Sequence, residues 1–122
     1  MLTRDTETTM NAGMSESEFH VVAERLLARI DAAINASDAA SDADIDCEIN
    51  GGILTIEFAD GSKAIVNRQT PLREIWLAAR HGGFHFRLVD GQWCDTRDGT
   101  TLDARLNETL ALQSARVIGI TI

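Results

Sequence analysis

The chain has 122 residues, 44% of them apolar, two cysteines, and a formal charge of −8 from 19 acidic and 11 basic side chains. That length and apolar share suffice for one domain with its own core, while an acidic balance without a basic cluster excludes nucleic-acid binding, which depends on neutralising phosphates. No apolar run approaches the roughly 18 residues of a membrane span, no signal-peptide pattern opens the chain, and Cys47 and Cys94 form no C-x-x-C pair; a soluble protein of the reducing cytoplasm is expected, without disulfides or a thiolate zinc site.

Residues 1–13 are polar and Thr-rich with no apolar period, and read as a flexible extension ahead of a domain over residues 14–114. Ser15 followed three residues later by Glu18 is a capping box. Phe19, Val22, Leu26, Ile30 and Ala33 then recur at helical spacing, which predicts a helix to about residue 36. Helical periodicity puts His20, Glu24, Asp31 and Asn35 on one flank of its apolar stripe and Arg25 and Arg29 on the other.

Residues 37–43 read as a polar connector. Ile45-Asp46-Cys47-Glu48-Ile49 alternates apolar and acidic, the strand period, and Gly51-Gly52 suits a two-residue primed turn into a second strand over residues 53–58. Pairing Asn50 with Ile53 sets Ile49 opposite Leu54, Cys47 opposite Ile56 and Ile45 opposite Phe58 on one apolar face. The other face then carries Asp46 opposite Glu57 and Glu48 opposite Thr55. Asp60-Gly61 turns into a third strand with Ile65 opposite Ile56, and a fourth covers residues 74–78. His81-Gly82-Gly83 turns into a fifth with Phe84, Phe86 and Leu88 alternating, and Asp90-Gly91 leads to a sixth over residues 92–95. Thr100 with Asp103 caps a second helix carrying Leu102, Leu106 and Leu110. The apolar tail over residues 115–122 either fills the groove between the helices or pairs at a sheet edge. Packing both helices on the apolar face of this meander gives an α+β two-layer sandwich with an antiparallel sheet of about six strands.

The charge is concentrated. Asp31, Asp38, Asp42, Asp44, Asp46, Glu48, Glu57 and Asp60 fall in one stretch without Lys or Arg, and the acids outside it balance the 11 bases, so the whole −8 belongs to this stretch. Such a field suits cations or a basic partner surface. Asp46 and Glu57, about 5 Å apart across a strand pair, repel by about 0.8 kcal/mol in water and about 3 kcal/mol at an effective dielectric near 20, a cost that a bound cation relieves. Exposed carboxylates in a row hold hard cations loosely and with little selectivity.

Other chemistry is excluded by what the motifs lack. Asp42-x-Asp44-x-Asp46 looks like the start of an EF-hand loop, but Cys47 stands where that loop needs Gly and Ile53 where it needs the bidentate Glu. His20, His81 and His85 have no second His or Cys at ligand spacing and read as surface residues, His20 being the one near the acidic stripe. Cys47, on the apolar side, reads as an inert core thiol. With no nucleophile beside a base, no H-E-x-x-H and no phosphate loop, a conventional enzyme site is not expected. Trp76 fits a core position and an interface anchor equally well.

The run Asp44-Ile45-Asp46-Cys47-Glu48-Ile49-Asn50-Gly51-Gly52-Ile53-Leu54-Thr55-Ile56 closely resembles bacterial frataxin. So do Asn67-Arg68-Gln69, Pro71-Leu72, Ile75-Trp76-Leu77-Ala78 and Gly82-Gly83-Phe84-His85-Phe86 after it, and Ser17-Glu18-Phe19-His20 and Trp93-Cys94-Asp95 fit the same pattern. The resemblance implies the sandwich just derived and iron, ferrous or ferric, bound weakly and reversibly on an acidic ridge. It also implies docking on a cysteine desulfurase and an iron–sulfur scaffold protein, where the protein regulates cluster assembly as an iron sensor or donor. Carried over position by position, the ridge is Asp31, Asp44, Asp46 and Glu48 with Asp42 beside it, and the strand register adds Glu57. The resemblance further implies that Trp76 is exposed and forms a partner surface with Asn67 and Gln69; Arg68, of a type common at interfaces, joins it, with Arg73, Arg80 and Arg87 as extensions. Where family members carry further acids near the end of the first helix, this chain has Ala32, Asn35 and Ala36, so a lower iron capacity is expected. The expectation is a monomeric, non-catalytic iron-binding regulator of iron–sulfur cluster biogenesis, assembling further only with iron. The alternative is an iron store or detoxifying protein with weak ferroxidase activity.

Overall fold

The computed structural model describes residues 13–122, so the extension predicted over residues 1–13 lies, Gly13 apart, outside the described residues. Helix α1 spans Glu16–Asn35. Its start follows the capping box, with Glu18 N–H donating to Ser15 Oγ at 3.0 Å and Ser15 N–H to Glu18 Oε1 at 2.8 Å. The buried stripe is Phe19, Ala23, Leu26, Leu27, Ile30 and Ile34, so Val22 and Ala33 lie at its margins. Residues 37–43 are not an open connector. They hold a short helix α2, Asp38–Asp42, capped by the Ser37 hydroxyl, which accepts from Ala40 N–H at 3.0 Å. Ala, Ser and Asp show no apolar period over so short a span, yet one cap and the buried Ala40 suffice for a turn.

Six strands form one antiparallel sheet whose spatial order is the chain order. They are β1 Asp46–Asn50, β2 Ile53–Glu57, β3 Lys63–Gln69, β4 Glu74–Ala79, β5 Gly82–Val89 and β6 Gln92–Asp95, with a 3-10 turn Thr70–Leu72 before β4 and helix α3, Leu102–Ser114, after β6. The β1–β2 register is the predicted one, with Asp46 opposite Glu57, Cys47 opposite Ile56 and Asn50 opposite Ile53. The β2–β3 register differs: Ile65 faces Thr55, and Ile56 faces Ala64. Phe58 N–H donates to Ser62 O at 2.9 Å, which leaves Ala59-Asp60-Gly61 as a three-residue loop with Gly61 in the left-handed region at φ +87°. A slip of one residue exchanges the two faces of a strand. Ala64 and Val66 therefore enter the core, and Ile65 goes to the open face.

Two smaller boundaries also move. β5 begins at Gly82, paired with Ala79, so Arg80-His81 is the turn before it. Helix α3 is capped by Thr101, whose hydroxyl accepts from Ala104 N–H at 3.2 Å, because Asp98 already takes the Thr100 N–H. Both long helices lie on one sheet face, where Leu26, Ile30, Leu106 and Leu110 join Ile56, Leu77 and Phe86 in a single core. The architecture is the predicted α+β two-layer sandwich. The chain end completes it: Ile118 and Ile120 are buried, and the Asn107 amide both accepts from and donates to the Ile120 backbone at 2.8 Å. Ile122 reaches the gap beside Leu26 and Leu102. No helix among the described residues is long and apolar enough to cross a membrane.

Candidate metal and partner surfaces

The acidic residues gather around the sheet edge that β1 forms. Gly51 and Gly52, at φ +62° and +81°, close the β1–β2 hairpin in the conformation a two-residue primed turn requires. Strand alternation then exposes Asp46 and Glu48 from β1 and Glu57 from β2 on the face away from the helices. Asp42 ends α2 and is exposed. Asp44 follows in a left-handed turn at φ +57°, also exposed. Asp44 and Asp46 share a shallow polar depression with Asn35 and Ser41. Asp31 stands apart from this row: it is half-buried on α1, beside the Cys47 thiol on the helix side of β1. Burial first, and then Asp31, push that thiol up to about 12, which keeps Cys47 protonated and neither nucleophile nor soft metal ligand.

Among the described residues none of these six carboxylates is in an ion pair. Asp60, in the same acidic stretch, is different, since Ser62 and then Arg80 hold its carboxyl well below the usual range. Nor does any group of three or more His, Cys, Asp or Glu converge among the described residues as a metal cage would. The donors are hard oxygens spaced along an edge, an arrangement that attracts cations without enclosing one.

The second surface lies on the open face across β3, β4 and β5. Register brings Asn67, Trp76 and His85 into one row and Gln69 opposite Glu74. The Trp76 and His85 rings stack with centroids 4.1 Å apart and planes 6° from parallel. The indole N–H donates to Glu74 Oε1 at 2.8 Å, and Arg87 Nε–H donates to Glu74 Oε2 at 2.9 Å. Asn67 Oδ1 is buried there without a hydrogen-bond partner.

Arg68 does not belong to this surface. It alternates to the helix side of β3, where its guanidinium pairs with Glu24 of α1 and lies over Gly52. Arg80 is tied to Asp60, and Arg73 to the Met14 and Thr70 carbonyls, so of the three further arginines only Arg87 joins. His20 lies near Glu24 on α1. Sequence reasoning missed Glu74. The signal was its parity with Trp76 and its position one step beyond the Ile75–Phe86 pair, which sets it across from Arg87.

Six antiparallel strands under two helices, with an acidic edge that is not ion-paired among the described residues and a stacked aromatic patch on the bare sheet face, define a small two-layer α+β sandwich. The family model for a frataxin-like domain matches residues 12–116. The iron-sulfur cluster assembly protein CyaY of Dechloromonas aromatica is 55% identical over 84% of this chain and 93% of its own, and that of Paraburkholderia phymatum 47% identical over 88% and 98%. Frataxin from Psychromonas ingrahamii superposes with a TM-score of 0.79 at 36% identity, covering 89% of this chain and all of its own. A trimeric yeast frataxin complexed with ferrous iron gives a TM-score of 0.59 at 28% identity, over 84% of this chain and 88% of its own. The chain belongs to the bacterial frataxin family.

Proposed function

We propose that this protein binds iron on its β1 edge and regulates iron–sulfur cluster biogenesis in the cytoplasm by docking on the cysteine desulfurase and its scaffold protein, without catalysing a reaction itself. The relatives' shared name, iron-sulfur cluster assembly protein, supports the process. A yeast frataxin complexed with ferrous iron supports the ion. The observation that carries the reading is the row Asp44, Asp46, Glu48 and Glu57, exposed along one edge with no basic side chain paired to it among the described residues.

Two consequences follow from that row. Its repulsion falls when a ferrous or ferric ion, here the cargo, sits among the oxygens, so iron is attracted; lacking a cage, it is held weakly and leaves again. The same field draws a basic partner surface, so iron and partner meet at one edge and influence each other. Asp31 and Asp42 flank the row and extend its field. Trp76, Asn67 and Gln69 form a second contact that fixes orientation. In this reading residues 14–114 are the working domain, residues 1–13 an extension, and residues 115–122 a tail that seals the core.

The test is an anaerobic cluster-assembly assay with purified desulfurase and scaffold, run with and without iron. Adding this protein should change the rate, more so with iron, and substituting Asp44→Asn, Asp46→Asn and Glu48→Gln together should abolish both the effect and the iron-induced NMR shifts at β1. No change in rate at several-fold excess rejects the reading. The trimeric iron-bound yeast relative favours a second one, iron storage or detoxification with weak ferroxidase activity. It requires iron-driven assembly visible by light scattering and oxygen consumption on adding ferrous iron, and a chain that stays monomeric with iron excludes it.

A further inference from the structure

Glu74 is an anomaly of the open face. It lies on the side of β4 away from the helices, yet its side chain is only 5% exposed. A carboxylate loses solvation on burial and needs compensating hydrogen bonds. Two come from side chains of the same face, the Trp76 indole N–H at 2.8 Å and Arg87 Nε–H at 2.9 Å, while His85 Nδ1 lies 3.7 Å from the oxygen that Trp76 uses, beyond hydrogen-bond distance. Trp76 and His85 also stack on each other. One carboxylate therefore links three side chains from two strands into a single unit.

We infer that Glu74 is the positioning residue of the docking patch, holding Trp76 in place in its stack on His85, with Arg87 beside it, before any partner arrives. The inference rests on the docking reading above. Its physical content is preorganisation: a half-buried indole free to turn would have to be ordered during binding, and each immobilised side chain weakens association. Fixing the indole beforehand removes that cost without Glu74 touching the partner. The geometry also separates two roles within one residue. Oε1 orients the tryptophan, while Oε2 holds the arginine.

The experiment uses the full chain with 15N-labelled tryptophan, in which the buried Trp93 is an internal control. Exchange of the Trp76 indole N–H with solvent is measured in the free protein, and affinity for the desulfurase–scaffold complex is measured alongside. Glu74→Ala should speed indole exchange about 10-fold and weaken docking about 10-fold, with Trp93 unchanged. Glu74→Gln keeps an oxygen for the indole and should restore both to within about 3-fold of the parent chain, while Arg87→Ala should leave indole protection in place. Unchanged indole exchange in Glu74→Ala, or faster exchange with undiminished affinity, overturns the positioning role alone. Undiminished affinity in Trp76→Ala removes the docking patch, and the positioning role with it.

Discussion

Two parts of one sheet face carry carboxylates in opposite states. At the β1 edge Asp46, Glu48 and Glu57 are exposed, and none is ion-paired among the described residues. On β4, Glu74 is buried and accepts hydrogen bonds from Trp76 and Arg87. What differs is the surroundings: Asp46 faces Glu57, and Glu57, though set opposite Lys63, is exposed and makes no ion pair with it, whereas Glu74 sits buried between Gln69 and Arg87. Side chains set opposite each other lie about 5 Å apart, close enough that the neighbour decides whether a carboxylate is strained or satisfied. Charge counting finds the acids. Register decides which of them remain free for a cation or a basic surface.

Removing a carboxylate should therefore shift stability in opposite directions in the two regions. Glu74→Ala leaves two donors without their acceptor and should lower unfolding free energy by about 2–3 kcal/mol, read from the urea midpoint. The hairpin turn that aligns the acidic row comes next. An alanine at Gly52 would be strained at φ +81° and would place its Cβ 2.5 Å from Arg68 Nη1, displacing the Arg68–Glu24 pair, so Gly52→Ala should lose about 2 kcal/mol. Gly51 has the same handedness but open space around it, so Gly51→Ala should lose only about 1 kcal/mol. Equal losses at the two glycines would mean that Arg68 does not pack on the turn. Asp46→Asn should gain stability, by less than about 1 kcal/mol, and the gain should vanish at high salt as screening removes the repulsion. A loss at Asp46 would erase the distinction between the regions.

How far the sequence could be read depended on how local each determinant is. The β1–β2 register was legible because Gly51-Gly52 fits one turn type, and the acidic row followed from it. The β2–β3 register was not, because Asp60-Gly61 suits loops of two or three residues; the choice falls to Phe58 N–H meeting Ser62 O, a bond that composition does not announce. Helix α2 was hidden because five residues with only Ala39 and Ala40 apolar show no helical period. Arg68 was legible and misread: Asn67 and Gln69 share a face, so the residue between them must take the other. Glu74 needed the β4–β5 register and the ring stacking together, and only the fold brings those into view. The capping box and the Leu102, Leu106 and Leu110 repeat gave the two helices their places, since both signals lie within a few residues of each other.

Loss of stability at high pH tests how tightly the acidic edge is held from beneath. Cys47 of β1 is raised from the ordinary thiol value of 9.0 to about 12 by burial and by Asp31. A group raised in the folded state adds stability that is whole below its unfolded value and is lost as pH climbs through its folded one. The loss should therefore fall between about pH 9 and 12, as a steeper decline of the urea midpoint in the parent chain than in Cys47→Ala. Asp31→Asn removes the second cause, so the decline should begin at the same pH but level off earlier and with a smaller total loss than in the parent. Cys94, in the opposite edge strand β6, donates only a weak bond to Gln92 O at 3.7 Å, so at pH 8 it should react with a thiol reagent well before Cys47. Equal rates would show that β1 opens as readily as β6. The carboxylates on its outer face would then belong to a fraying strand, and a row that depends on register could not hold its alignment for an ion or a partner.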